Sequence, residues 1–271
     1  MNPWELLKLE SKRYLPNGTF RVIGALYVVF FILVICLVHS IGRNLTFTAR
    51  GAASHPLAGI FTYPQDWALL ACIGSWMNIF LLGFLGVFMI TMEFSNRTLR
   101  QSVIFGMTRL EAGVAKLIWS AALALAATGV YILLVYGAEV MDGRAMGLPL
   151  GEVILCFYLQ ALGYLCLGTL AGLWIRQTAL AAMAYLGYVF ILETVCRWVF
   201  YFSVSKTRLL MFLPNQALGA LTPVPVSDSV RQMVRSAFTL PLSPGEAALS
   251  VVVYLVLFAI LFCQTIIKSD L

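Results

Sequence analysis

Stretches of about twenty predominantly apolar residues, set apart by short charged segments, dominate this sequence, and each is long enough to cross a hydrocarbon core of about 30 Å as a helix. They run over 22–41, 67–92, 117–138, 153–175, 178–200 and 247–267, and the second contains no charged residue. A membrane barrel would instead show short strands of alternating polarity, which the sequence lacks. The chain is 61% hydrophobic and 11% charged, against roughly 45–50% and about 25% in soluble domains, which argues against a water-soluble fold. The expected fold is therefore all-α: one polytopic transmembrane domain over 1–271 with six spans. The first span, close behind the start of the sequence, reads as an uncleaved signal anchor.

Basic residues concentrate on one side of these spans. With the N-terminus inside, the inner segments hold Lys8, Lys12, Arg13, Arg21, Arg97, Arg100, Arg109, Lys116, Arg176 and Lys268. The longer outer segments hold Arg43, Arg50, Arg144, Lys206, Arg208, Arg231 and Arg235. Retention of bases near span ends then predicts both termini in the cytoplasm, in a bacterial inner membrane. The net charge of +6 follows from this spread of bases over the loops, and gives no reason to expect nucleic acid. The six cysteines lie within or beside apolar runs, with no CxxC pair, so they read as small packing residues and no metal is expected.

Residues 1–21 predict an interfacial helix, with Trp4, Leu7, Ser11, Tyr14 and Leu15 on one side, Lys8 and Lys12 beside them, and Leu6 and Leu9 off the stripe. Bases in that position suit anionic membrane lipid. Between the last two spans, 201–246 is too apolar for an ordinary loop, and its stretch 209–221 is expected to lie in the interface or dip back into the membrane. Within the fifth span, Glu193 and Arg197 are spaced i,i+4 in the favourable order and are expected to pair inside the bundle.

The most specific segment is 93–116, EFSNRTLRQSVIFGMTRLEAGVAK. Ser95 or Asn96 is expected to cap a short helix with Leu99 and Val103 on one face, and Gly106 to end it in a left-handed conformation. Thr108 and Glu111 have capping-box spacing at the head of the third span. Two helices thus meet at a tight turn, and the short one presents Arg97, Arg100 and Gln101 outward, as a helix seated in a partner's groove requires.

This segment resembles the stretch after the second span of type-2 ABC-transporter permeases: an acidic residue, a T-[LIF]-R core, a G-x-[ST]-R turn and a later lysine. The matching positions are Glu93, Thr98, Leu99, Arg100, Gly106, Thr108, Arg109 and Lys116, and Arg97 stands where many relatives have glycine. The resemblance implies that the segment contains the coupling helix, touching an ABC ATPase subunit, with Leu99 and Val103 as apolar anchors. It further implies assembly with a second copy of this chain or a related permease, and a role mostly in export. The chain contains no G-x-x-x-x-G-K-[ST] loop, so ATP and magnesium are expected in the partner, with no cofactor and no catalytic site in this chain. An ion-coupled secondary transporter is the alternative, although the spans offer few midplane charges beyond Glu193. A membrane-embedded enzyme would need converging acids or histidines, and His39 and His55 form no such group.

Overall fold

A computed structural model describes residues 2–49, 65–104, 106–141, 151–203, 211–225 and 242–268. These are helical with no strand among them, and six helices are long and apolar enough to cross a membrane: Gly18–Gly42, Gln65–Ser95, Arg109–Met141, Gly151–Ile175, Thr178–Val199 and Pro244–Ile267. The expected spans agree with five of these to within four residues at each end. The third is underestimated most, because Arg109–Lys116 is polar yet continues the same helix. Of the outer bases, Arg50, Arg144, Lys206, Arg208, Arg231 and Arg235 lie outside the described residues, as does His55.

In chain order, α1 (Pro3–Tyr14) leads into α2 (Gly18–Ala49), the first span. The second span is α3 (Gln65–Met77), a π turn at Asn78–Leu82, and α4 (Gly83–Ser95). Short α5 (Thr98–Ile104) precedes α6 (Arg109–Met141), and α7 (Gly151–Ile175) follows. The fifth span is α8 (Thr178–Leu186), a second π turn at Gly187–Leu192, and α9 (Glu193–Ser203). Finally come α10 (Pro214–Ala220) and α11 (Pro244–Lys268).

The closest helix pair is α4 with α7, and small residues explain it. A Cβ built on Gly168 would stand 2.1 Å from the Gly83 carbonyl oxygen, and one on Gly86 would stand 2.5 Å from that of Leu165. Only glycine lets the two backbones approach so closely, the usual way helices gain contact in lipid. Around this pair, α2, α3, α6 and α7 bury an aromatic core in which Tyr131 stacks on Phe157 at 4.5 Å and meets Trp67 edge-on at 5.8 Å.

Each π turn frees a backbone carbonyl that apolar surroundings cannot satisfy, and a side chain reaches both. The Tyr185 hydroxyl donates to Ile79 O at 2.8 Å, and Asn215 Nδ2 to Val189 O at 2.9 Å. The second of these belongs to α10, which sits level with the middle of three spans. Leu218 lies against Gly163 of α7, Asn215 meets Val189 of the fifth span, and Tyr254 of α11 donates to Phe212 O at 2.7 Å. The part of 209–221 that the structure describes is thus inserted among the helices at mid-height, with Ala217 and Leu218 buried.

Candidate functional site

The segment between the second and third spans is shaped by three local devices. α4 stops at Ser95, and Arg97 takes a left-handed backbone with φ 54°. Neither Ser95 nor Asn96 caps α5, since Ser95 ends α4 and Asn96 is that helix's C-cap. The reversal at Arg97 turns the chain directly into Thr98. Left-handed backbone is disfavoured for a residue with a Cβ, which is the physical reason a glycine would suit this position. At the other end, Gly106 has φ 96°, Gly106 N–H donates to Val103 O and Met107 N–H to Ser102 O, so α5 ends in a Schellman turn as expected. Thr108 N–H then donates to Glu111 Oε2 at 2.9 Å and Glu111 N–H to Thr108 Oγ1 at 3.2 Å, the reciprocal pair expected at the head of α6.

Behind α5 lies a buried group of charges. Glu93 at the end of α4 is wholly buried, and its Oε1 accepts from Lys116 Nζ of α6, from Arg13 Nη1 at 3.0 Å and from the Tyr14 hydroxyl at 2.5 Å. Lys116, 1% exposed, also donates to Glu10 Oε2 at 2.5 Å, and Glu10 is itself 1% exposed. Two carboxylates thus face two bases, so the group is neutral although nearly sealed. Arg13 Nη2 donates to Ser102 Oγ at 2.8 Å, tying α5 to the same group. Burial, opposed by Lys116, holds the Glu10 carboxyl above its ordinary range, while burial and the flanking carboxylates keep the Tyr14 phenol well above its own. Tyr14 therefore remains a hydrogen-bond donor.

Four elements meet here: α1, the end of α4, α5 and the start of α6. The sequence marks Glu93 and Lys116 but gives them no partners, and it misses Glu10, Arg13 and Ser102. Of the stripe expected to face the interface, Trp4 and Leu15 are exposed, at 73% and 52%, whereas Tyr14 is buried against the bundle. The face packed on the bundle is Leu6, Glu10 and Tyr14, an i,i+4 series that includes Leu6, which lies off that stripe. Leu6 clusters with Met107, Ala112 and Ala115, and Tyr14 stacks on Trp119, so α1 runs alongside the first turns of α6.

The remaining coupling residues divide between inside and outside. Leu99 is 3% exposed, so the apolar anchor expected to face a partner is already used within the chain. Thr98 and Val103 are half-buried, Arg100 and Gln101 are exposed, and Ile104 is 80% exposed. Exposed Arg109 donates to the Ile267 carbonyl at the end of α11 at 2.9 Å.

Glu193 and Arg197 do not form the direct pair expected of them: no ion pair joins them among the described residues. Each reaches α10 instead. Glu193 accepts from Asn215 N–H at 3.0 Å and from the Tyr188 hydroxyl, and Arg197 Nη1 donates to Gln216 Oε1 at 3.1 Å. The carboxylate thereby satisfies a first-turn N–H of α10, a better use of it at mid-height than pairing along its own helix. A neutral network supports the other side of α10. Tyr27 donates to Asn78 Oδ1 at 2.9 Å, and Gln160 Nε2 donates to Leu218 O at 3.1 Å and to Thr222 Oγ1 at 2.9 Å, with Asn78 and Gln160 wholly buried.

Compared with family models and with curated proteins, the chain matches none.

Proposed function

We propose that this chain is the membrane-spanning permease subunit of an ABC-type transporter, driven by a separate ATPase that binds ATP and magnesium. The observation that carries the reading is the division of α5 into two faces. Its inner side is fixed to the bundle through Leu99 and the Arg13–Ser102 bond, while its outer side exposes Arg100, Gln101 and Ile104. A short helix held this way transmits a push on its outer face into α1, α4 and α6 together, because the buried ion group links all three. The motif around Glu93, Thr98, Arg100, Gly106, Arg109 and Lys116 supports the same reading through its likeness to type-2 permeases.

In this account the end bearing α1 and α5 faces the cytoplasm of a cell membrane, the chain pairs with a second copy or a related permease, and cargo moves mainly outward. α10 is a re-entrant segment within the bilayer. Chemistry resides in the ATPase, and this subunit is not an enzyme. The burial of Leu99 moves the partner's anchor to Ile104, with Arg100 at its rim. The experiment is copurification of an ATPase with wild type, Ile104→Asp and Arg100→Glu, with ATP hydrolysis measured in each. Loss of the ATPase from Ile104→Asp, with the permease still inserted, is the expected result. Undiminished binding and turnover in both variants would remove α5 as the coupling element.

A further inference from the structure

We infer that the buried charge group encloses a binding site for ordered water, formed between Glu93 and one face of α6. Glu93 uses its two oxygens very unequally. Three donors converge on Oε1, whereas Oε2 is buried and has no hydrogen-bond partner in the chain. A carboxylate oxygen left bare in a sealed site costs kcal/mol, so a buried group of this kind ordinarily has a donor.

Unmatched groups of the complementary kind are found on α6. Trp119 Nε1 and Ser120 Oγ are both buried without a partner, and they follow Lys116 by three and four residues, on the face that carries the lysine to Glu93. Trp119 also stacks on Tyr14 with ring centroids 6.0 Å apart, and the Tyr14 hydroxyl donates to Glu93, so the indole packs on a ring that is itself bound to the carboxylate.

Ser120 behaves unlike the other buried hydroxyls of the spans. Ser75, Thr91, Thr128, Thr169 and Ser250 each donate to a carbonyl three or four residues earlier in their helix, and Ser120 does not. Its hydroxyl is thus left to serve another acceptor. Thr98 Oγ1 at the start of α5 is a further buried hydroxyl without a partner.

The polarity of the group selects the occupant. An indole N–H can only donate, a carboxylate oxygen can only accept, and a hydroxyl can do both. Water accepts the first, donates to the second and bonds the third, as buried waters do when they hold about three hydrogen bonds. A cation is disfavoured by the Lys116 ammonium and Arg13 guanidinium on the same carboxylate, and an anion by Glu93 and Glu10. The inference concerns the joint between α1, α4 and α6 and stands whether or not an ATPase binds α5.

The test uses the full chain in lipid nanodiscs. A structure fine enough to resolve solvent is determined for wild type and Ser120→Ala, and magnetisation transfer from water to isotope-labelled tryptophan is measured, the Trp119 indole being assigned by its loss in Trp119→Phe. Expected are a solvent peak within about 3 Å of Glu93 Oε2, weakened in Ser120→Ala, and a Trp119 indole that receives magnetisation from water despite its burial. Ser120 or Thr98 turned to bond Glu93 Oε2 directly with no solvent peak between them, or a Trp119 indole silent toward water, would overturn the inference.

Discussion

The two polar regions of this bundle solve the same problem with different chemistry. At the end carrying α1 and α5, four full charges are gathered and neutralised among themselves, Lys116 joining Glu10 to Glu93 with Arg13 beside them. At mid-height, the groups holding α10 act mostly through neutral amides and backbone, and the two ionisable residues that reach it, Glu193 and Arg197, come from the C-terminal part of the fifth span and bond separate atoms of α10. The difference follows the surroundings. Near the end of the spans, α1 encloses the ions with protein and the headgroup region is close, whereas at mid-height each isolated ion would meet hydrocarbon. It also predicts different behaviour. The charged joint is strongly coupled internally, and the mid-height contacts are nearly independent tethers on one short helix.

The largest effect is expected at Lys116. Lys116→Met leaves two buried carboxylates facing each other, a loss on the order of 3–5 kcal/mol as for a broken buried ion pair. Folded yield and thermal stability in detergent should fall sharply, and adding Glu10→Gln and Glu93→Gln to Lys116→Met should recover part of the loss. An unaltered melting temperature in Lys116→Met would show that the charges are not held as described.

Next in size is Gly168→Val, which places methyl groups where the Gly83 carbonyl stands. Overpacking at such a contact costs about 1–3 kcal/mol, read as a lower melting temperature. It acts on the α4–α7 contact that lies between the two polar regions, so it should weaken both rather than one.

At mid-height, Gln160→Leu removes the donors to Leu218 O and Thr222 Oγ1. Intramembrane hydrogen bonds of this kind average about 0.6 kcal/mol, so stability should change little. The effect appears locally, as faster thiol labelling of Gln216→Cys in a background without native cysteines, with unchanged labelling of Ser102→Cys.

The smallest effect is itself diagnostic. A double-mutant cycle on Glu193→Gln and Arg197→Gln should give a coupling below about 0.5 kcal/mol, the range of independent sites, since each residue bonds a different atom of α10. The same cycle on Glu93 and Lys116 should give a coupling several times larger. Equal values would erase the distinction between the two regions.

The spans were legible because length and apolarity fix them, and the turn chemistry of 93–116 was legible because Gly106, Thr108 and Glu111 act through local backbone rules. What could not be read was anything set by packing between distant segments. The i,i+4 spacing of Glu193 and Arg197 suggested a pair, but the sequence carries no sign that α10 would arrive at mid-height to compete for both side chains. Leu99 looked like an anchor for a partner because nothing local indicates that the chain's own helices cover it. Glu10 and Arg13 were missed for a related reason: charges on a basic N-terminal helix read as solvated until Glu93 and Lys116 are seen to face them.

In the proposed coupling role, the outer face of α5 meets an ATPase while its inner face is locked to the bundle. The most direct measurement places a photo-crosslinking amino acid at Arg100, at Ile104 and, as a control, at Arg21, and identifies the trapped partner by mass spectrometry. A single adduct is expected from positions 100 and 104, with peptides that include a nucleotide-binding loop, and none of that identity from position 21. Crosslinks from 100 and 104 that contain only lipid or another copy of this chain would contradict it.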